Sequence, residues 1–452
     1  LVFSSLGKVY ALKSHDIPEA SLKARGKPIV NLLPFSKEEK IATFLPLPIE
    51  EAVERSEASD VGLTVYIGRK SASVSSTKMD NDSIQKMVSR SVAMAKLAPE
   101  NPYTGIASRD QIAKEWNEIN MLDQYIPSPE KLIELAKETE HFARSIKGIT
   151  NSEGSEASWG KTDIGMISSN GFFGHLERSS HSLSVSVIAG EDAEMETDYD
   201  YTATAFAEDM RSPKEVGIRA GERAVSRLNS VKGKTGNYPI IFDSRVSRSI
   251  AGHIAQSING SSVARGLSMF QDKMNEKILS SSINVVDNPN LFRGHGSVPF
   301  DGEGLATKKR NLITNGVLNG WLLDLASSRQ LNLEPTGNAR RGIGGPASPG
   351  SSNFIIEPGN LTPEELRKEI KEGLLITEFI GSAVNMITGD YSRGVSGFWI
   401  ENGEITYPIS EITIASNLKE MFLKMTAGND LETSHSIIAP SLRIESMTVA
   451  GN

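Results

Sequence analysis

The chain has no cysteine in 452 residues. Disulfides, thiolate zinc sites, iron–sulfur clusters and cysteine nucleophiles are therefore excluded. No run of 18 or more apolar residues occurs, so the sequence offers no helical membrane span. Positive charge is not in excess: 48 Lys and Arg against 56 Asp and Glu leave a net charge of −8. A global basic face for nucleic acid is unsupported. Aromatic residues make up 6% of the chain. No basic-then-apolar leader opens the sequence, which points to a cytoplasmic location. What remains is an ordinary globular composition, 38% hydrophobic and 23% charged, of a length that calls for two or three domains.

Residues 1–47 read as short strands. LVFSSLGKVYALKSHDIPEA suggests a hairpin around Leu6-Gly7-Lys8, and ARGKPIVNLLPF and EKIATFLPL suggest two further strands. From residue 50 to 76 strands continue, turning at Gly68-Arg69-Lys70. Asp80 opens a helix whose buried stripe is Ile84, Met87, Val88, Ser91, Val92 and Ala95. Residues 104–128 read as a loop with one short helix. Ser128 caps the next helix and Pro129 is its first residue; Leu132, Leu135, Ala136, Thr139, Phe142 and Ala143 face inward. Residues 149–207 alternate as strands, with Asn170-Gly171 as a hairpin turn. Asp192, Glu194, Glu196, Asp198 and Asp200 recur along one segment there. Such a ladder suits either a solvated strand face or a divalent cation. Ser212-Pro213 opens a helix striped by Val216, Ala220, Ala224 and Leu228. A buried strand, PIIFDSRV, leads to a further helix at about 247–258, which Asp243 or Ser244 can cap.

The second half is rich in hairpin signals. Asn315-Gly316 joins two apolar runs, and Asn402-Gly403 joins residues 395–400 to 404–409. A third run covers 411–415 after Pro408, and residues 417–424 turn helical in pattern. Gly389, Gly394 and Gly397 surround Asp390, Ser392 and Arg393, which reads as a charged, glycine-rich loop feeding the hairpin. Residues 327–354 form a long Gly/Pro loop carrying Asn338, Arg340 and Arg341, a length that is usually functional or disordered. No G-x-S-x-G elbow and no P-loop is present. His295 stands beside Ser297 in a Gly-rich stretch, but neighbours in sequence are not a catalytic pair.

The stretch TGDYSRGVSGFWIENGEITYPISEITIASNLKEMF resembles the C-terminal signature of the TldD/PmbA family, and more narrowly its PmbA (TldE) branch. The segments ERSEASDVGLTVYIGRKSASVSST, MAKLAPENPYTGIA, NPNLFRGHGSVPFDGEGLATKKRNLITNGVLNGWLLD, PTGNARR and IIAPSLRIESMTVAGN agree with it in order, so the likeness covers about 49–452. Residues 1–47 resemble instead part of one blade of the C-terminal domain of DNA gyrase A, through GKVY, ARGKPIVNLLP and the following Glu-Lys-Ile. They stand where that family's opening helix and hairpin are expected. A gene fusion, a recombination product or an assembly artefact would account for this. Alternatively, the hairpin around Gly7 supplies the strands the family sheet needs.

The resemblance also sets a test. The TldD branch carries HExxxH on the helix corresponding to SRSIAGHIAQSINGSS. Two histidines and a glutamate one turn apart can hold Zn²⁺ and activate its water. Here the helix has His253 alone, followed by Ile254, with Ile258 five positions on. In the other possible register the ligand positions fall on Ala251 and Gln256. No Asp or Glu lies between residues 244 and 271, the branch's C-terminal cysteine has no counterpart, and only His295 and His435 are spare histidines.

These readings define the expectations. The fold class is α+β: N-terminal helices packed on antiparallel sheet (49–230), then a mostly antiparallel, barrel-like β domain (236–452), with 1–47 as a separate β segment. By resemblance, the chain is a PmbA/TldE-like subunit without its own cofactor or catalytic residues. A TldD-type partner brings the zinc, and the substrate is an unfolded peptide held through sheet-edge hydrogen bonds. Asn338, Arg340, Arg341, Asp390 and Arg393 are the candidate peptide or interface contacts. The alternative is a modulator of DNA gyrase or DNA, acting through Lys8, Lys13, Lys23, Arg25 and Lys27 of the first segment.

Overall fold

The computed structural model describes residues 53–451 other than Glu118, together with three short strands nearer the N-terminus. The chain divides into two units, Leu1–Ser56 and Glu57–Asn452. In the first, β1 (Val2–Ser4) pairs antiparallel with both β2 (Val9–Tyr10) and β3 (Ile41–Phe44). The strand expected in residues 24–35 lies outside the described residues, as does most of the segment that resembles gyrase.

The second unit opens with the hairpin β4 (Val61–Ile67) and β5 (Lys70–Ser76), turning at Gly68 with φ +59°. Helix α1 (Asn81–Leu97) packs on it and is capped by Asp80, whose carboxylate accepts the Ser83 N–H. Residues 104–128 run as turns and extended chain, without the short helix that the sequence suggests. Helix α2 (Pro129–Arg144) begins at the expected Ser128 cap. Three strands follow in the antiparallel order β6 (Ile149–Ile167), β7 (Phe173–Ala189), β8 (Glu196–Thr204). Helix α3 (Pro213–Ser226) carries a capping box, Ser212 to the Glu215 N–H and Glu215 back to the Ser212 N–H.

Alternation on the central strand explains how these parts join. Leu183, Val185, Val187 and Ala189 of β7 all point one way and are buried against Ala143 of α2 and Val216, Ala220 and Ala224 of α3. Gly217 and Gly221 let α3 lie close on α2: a Cβ on Gly217 would stand 2.4 Å from the Thr139 carbonyl oxygen. This is the expected layer of helices on antiparallel sheet.

In the C-terminal part, the strand Leu442–Ala450 pairs with Gly236–Phe242, which pairs with Glu372–Val384, then Asp390–Glu401, then Glu404–Asn417. Glu404–Asn417 pairs back onto Leu442–Ala450 through Thr413↔Ala450, Ile414↔Val449 and Ala415↔Thr448. The five strands thus close into a barrel, which leaves them no free edge along the seam. One continuous core runs from inside the barrel to the helix beside it: Trp399, Val395, Ile412, Ile444 and Val449 belong to it, as do Ile250 and Ile254. A smaller sheet built on Val285–Asp287, Arg310–Thr314 and Phe354–Ile356 shares that core. The barrel-like α+β expectation holds.

Two local readings differ from the sequence expectation. Residues 404–417 form one strand rather than the two runs 404–409 and 411–415. Pro408 sits opposite Phe398 beside a bulge, and the strand's other neighbours start at Ile409 and Thr413, so no partner needs the missing N–H. Residues 390–393 are not a loop; they pair with 414–417 as the start of Asp390–Glu401.

Candidate functional site

Helix α4 (Ser244–Ser257) is the element on which the chemistry turns. Asp243 caps it by accepting the Arg245 N–H, and burial pushes that carboxyl up from its usual range. Val246, Ile250, Ala251 and Ile254 hold its inner face in the core. His253 lies on the same helix, its ring edge-on to Tyr391 at 6.0 Å between centroids. Its Nε2 and the Tyr391 hydroxyl are both buried without a hydrogen-bond partner among the described residues. Burial, and then the Arg393 charge, push His253 down to about 4, so the ring is neutral at pH 7. Arg393 donates to the Ser249 hydroxyl at 2.9 Å and stacks over Phe379 at 4.1 Å.

Beside α4 opens a cavity of about 560 Å³. Val246, Phe379 and Ile437 give it an apolar side; Arg245, Arg248 and His435 give it a cationic and polar one. It continues into a narrower recess among Arg211, Arg219 and Arg223. Nearly every charge here is paired. Arg245 donates to Asp198 at 2.6 Å and lies 4.0 Å over the Tyr199 ring. Arg211 and Arg223 share Asp200, at 2.6 and 2.9 Å. Arg227 reaches Glu196, Asp198 and Glu378 at 3.2, 3.4 and 2.5 Å, and Arg219 reaches Glu432 at 3.2 Å. Arg248 is the exception, with no carboxylate beside it among the described residues. Its Nε donates to the Arg245 carbonyl and its Nη1 to the Tyr201 hydroxyl at 3.2 Å. That hydroxyl is 2.9 Å from Nε2 of His435. Burial, Arg248 and His295 together push His435 down to about 4.

The candidate contacts fall in different places. Asn338 is buried and donates to Asp287 at 2.7 Å. Arg340 donates to the carbonyls of Ser351 and Gly296, and Arg341 to the Gly302 carbonyl and the Thr64 hydroxyl. These three side chains hold their loop to the scaffold. Asp390 is exposed and accepts from the Thr388 hydroxyl at 2.6 Å, next to Asn417. Arg393 alone reaches the neighbourhood of α4. The acidic ladder divides: Asp192 and Glu194 are exposed on a turn before β8, while Asp198 and Asp200 on β8 are each only 4% exposed and faced by arginines. Among the described residues none of them is grouped for a cation. The arginines come from α3, α4 and the segment before α3. Their meeting with β8 is a tertiary fact, which local spacing does not encode.

The architecture defines a class: a two-layer α+β part followed by a five-strand closed barrel, with a capped helix lining a cavity between them. Within that class the chain is similar to several known proteins. It matches the PmbA/TldA metallopeptidase domain 1 over residues 49–95, the central domain over 124–228 and the C-terminal domain over 235–451. It is 37% identical to Metalloprotease PmbA of Escherichia coli O157:H7 over 405 residues, 89% of this chain and 88% of that protein. A PmbA homologue of Haemophilus influenzae is 34% identical over 89% and 88%. A crystal structure from Bacteroides thetaiotaomicron, described as a candidate modulator of DNA gyrase, superposes with TM-score 0.80 at 27% identity, covering 86% and 88%. TldE of Thermococcus kodakarensis shares the fold at TM-score 0.75 and 19% identity, covering 87% and 94%. The chain belongs to the PmbA/TldD metallopeptidase family, on its PmbA (TldE) branch.

The family's name implies a metal, and the donors around α4 do not fit one. A catalytic zinc takes three protein ligands and keeps one position open. His253 supplies one nitrogen; its neighbours are a phenol and a guanidinium. Among the described residues no three of His, Asp and Glu stand close enough to share a cation. His295 and His435 are 6.5 Å apart between ring centroids, but Nε2 of His295 donates to the Ala203 carbonyl and Nε2 of His435 faces Tyr201.

Proposed function

We propose that this chain is the PmbA/TldE-type subunit of a two-chain metallopeptidase. It would pair with a TldD-type zinc peptidase that cleaves unfolded peptides, and contribute wall and peptide contacts rather than the metal. The observation that carries this reading is the environment of His253, a lone histidine set against Tyr391 and the Arg393 charge. Likeness to proteins named Metalloprotease PmbA supports membership of a proteolytic system. A TldD homologue of Buchnera aphidicola, 22% identical over 435 residues, shows that the partner branch is related in sequence. Cytoplasmic action fits the absence, among the described residues, of any helix long and apolar enough to cross a membrane.

The test is to purify the chain alone and with a TldD-type protein, then follow cleavage of a disordered peptide. Cleavage is expected only from the pair and only with metal. Metal-dependent cleavage by the lone chain would sink the non-catalytic role.

A second reading, modulation of DNA gyrase, draws on the descriptions of two similar solved structures and on the basic residues of the first 47. It requires salt-sensitive DNA binding that disappears when residues 1–47 are deleted. The expected result is no such binding.

A further inference from the structure

Among the described residues, Arg248 is the one guanidinium lining the cavity at α4 that no carboxylate neutralises. The cavity's own carboxylate, Glu378, is bonded to Arg227 at 2.5 Å, and the recess carboxylates Asp200 and Glu432 are bonded to Arg211, Arg223 and Arg219. Arg248 is held in place from two sides, by the Arg245 carbonyl behind it and the Tyr201 hydroxyl beside it. Its remaining N–H groups have no acceptor among the described residues. A guanidinium that is fixed, partly desolvated and unpaired is a ready receptor for a planar anion, since its fork matches a carboxylate with two parallel bonds. The same cavity has an apolar side in Val246, Phe379 and Ile437, and a volume of about 560 Å³, within the range of ordinary ligand pockets. Arg393 donates to the hydroxyl of Ser249, which lines the cavity, and so adds positive charge beside it.

We propose that this cavity is a carboxylate-binding subsite for peptides. Arg248 grips the carboxylate, the Arg245 carbonyl and the Tyr201 hydroxyl, itself bonded to His435, hold Arg248 in position, and the apolar side receives an adjoining apolar side chain. The proposal takes its ligand class from the peptide-handling reading above. It gives this chain a specific role, the anchoring of a peptide by its negative group.

Three dye-labelled octapeptides of Gly, Ser and Ala ending in Leu test it by fluorescence anisotropy with the full-length lone chain. One ends in a free carboxylate, one is its C-terminal amide, and one is the amide with a single internal Glu. At least one carboxylate-bearing peptide should bind about tenfold or more tightly than the plain amide, the gain of a charge-assisted bidentate contact. The arm that gains identifies the source, chain terminus or acidic side chain. Arg248→Gln should erase the difference. Arg248→Lys, which keeps the charge but not the fork, should retain a fraction of it, and Tyr201→Phe should reduce it. Equal affinities for all three peptides on the native chain would overturn the proposal without any variant having to fold. So would full discrimination by a folded Arg248→Gln protein. Equal affinities alongside cleavage by the pair would leave the subunit role standing; preference for a carboxylate without complex formation would do the reverse.

Discussion

Glu303 shows how a single buried acid sets a pH dependence. Burial, with Asp324 and Asp301 nearby, pushes its carboxyl up to about 8, against which one bond from the Leu325 N–H works. Between about 4.5 and 8 the folded chain holds a proton that the unfolded chain has lost, so stability falls as pH rises through this window. Glu303→Gln keeps an acceptor for Leu325 without the ionisation. At pH 8.5 it should stabilise the protein by ~2–4 kcal/mol relative to its effect at pH 5, read from urea unfolding at the two pH values. His253 has the opposite sign. Its folded pKa of about 4 lies below the usual 6.5, so the unfolded chain takes up the proton first. Stability present above pH 6.5 is lost as pH falls towards 4. His253→Phe should lessen that acid loss by about 2 kcal/mol in the same experiment. An unchanged acid limb would show that His253 is not buried as a neutral ring.

Among the helices, the α2–α3 contact is an exacting one. Gly217→Ala drives a methyl to 2.4 Å from the Thr139 carbonyl oxygen, and the helices must part. A loss of ~1–3 kcal/mol is expected, seen as a lower midpoint in thermal unfolding. Gly165→Ala on β6, where a Cβ meets nothing within 4 Å, is the control and should change little. Element starts were legible because local chemistry fixes them. Ser128-Pro129 and Ser212-Pro213 with Glu215 cap their helices as written. Asn315-Gly316 and Asn402-Gly403 sit at positive φ in two-residue hairpins. Residues 390–393 and Pro408 were misleading for the converse reason. Gly394 and Gly397 read as breaks, yet a Cβ on Gly397 would lie 2.0 Å from the Leu375 carbonyl oxygen. Close passage of a neighbouring strand, not a loop, requires the glycine there.

At the scale of the molecule, the family, the α+β class and the barrel could be read from ordered motifs and hairpin count. The cavity could not. Asp198 and Asp200 look like a cation ladder until Arg211, Arg223 and Arg245 arrive from elsewhere in the chain. Likewise Asn338, Arg340 and Arg341 look free in a Gly/Pro loop, while the fold binds them to Asp287 and to backbone carbonyls. Whole-molecule function rests on whether this polypeptide carries a catalytic metal or relies on a second chain for it. The most direct measurement is native mass together with bound-metal content, for the lone chain and for the chain co-expressed with a TldD-type protein. The predicted result is a lone chain without stoichiometric metal, and a mixed complex whose zinc equals the number of TldD-type subunits. Stoichiometric, tightly held zinc on the lone chain, lost on His253→Phe, would contradict it.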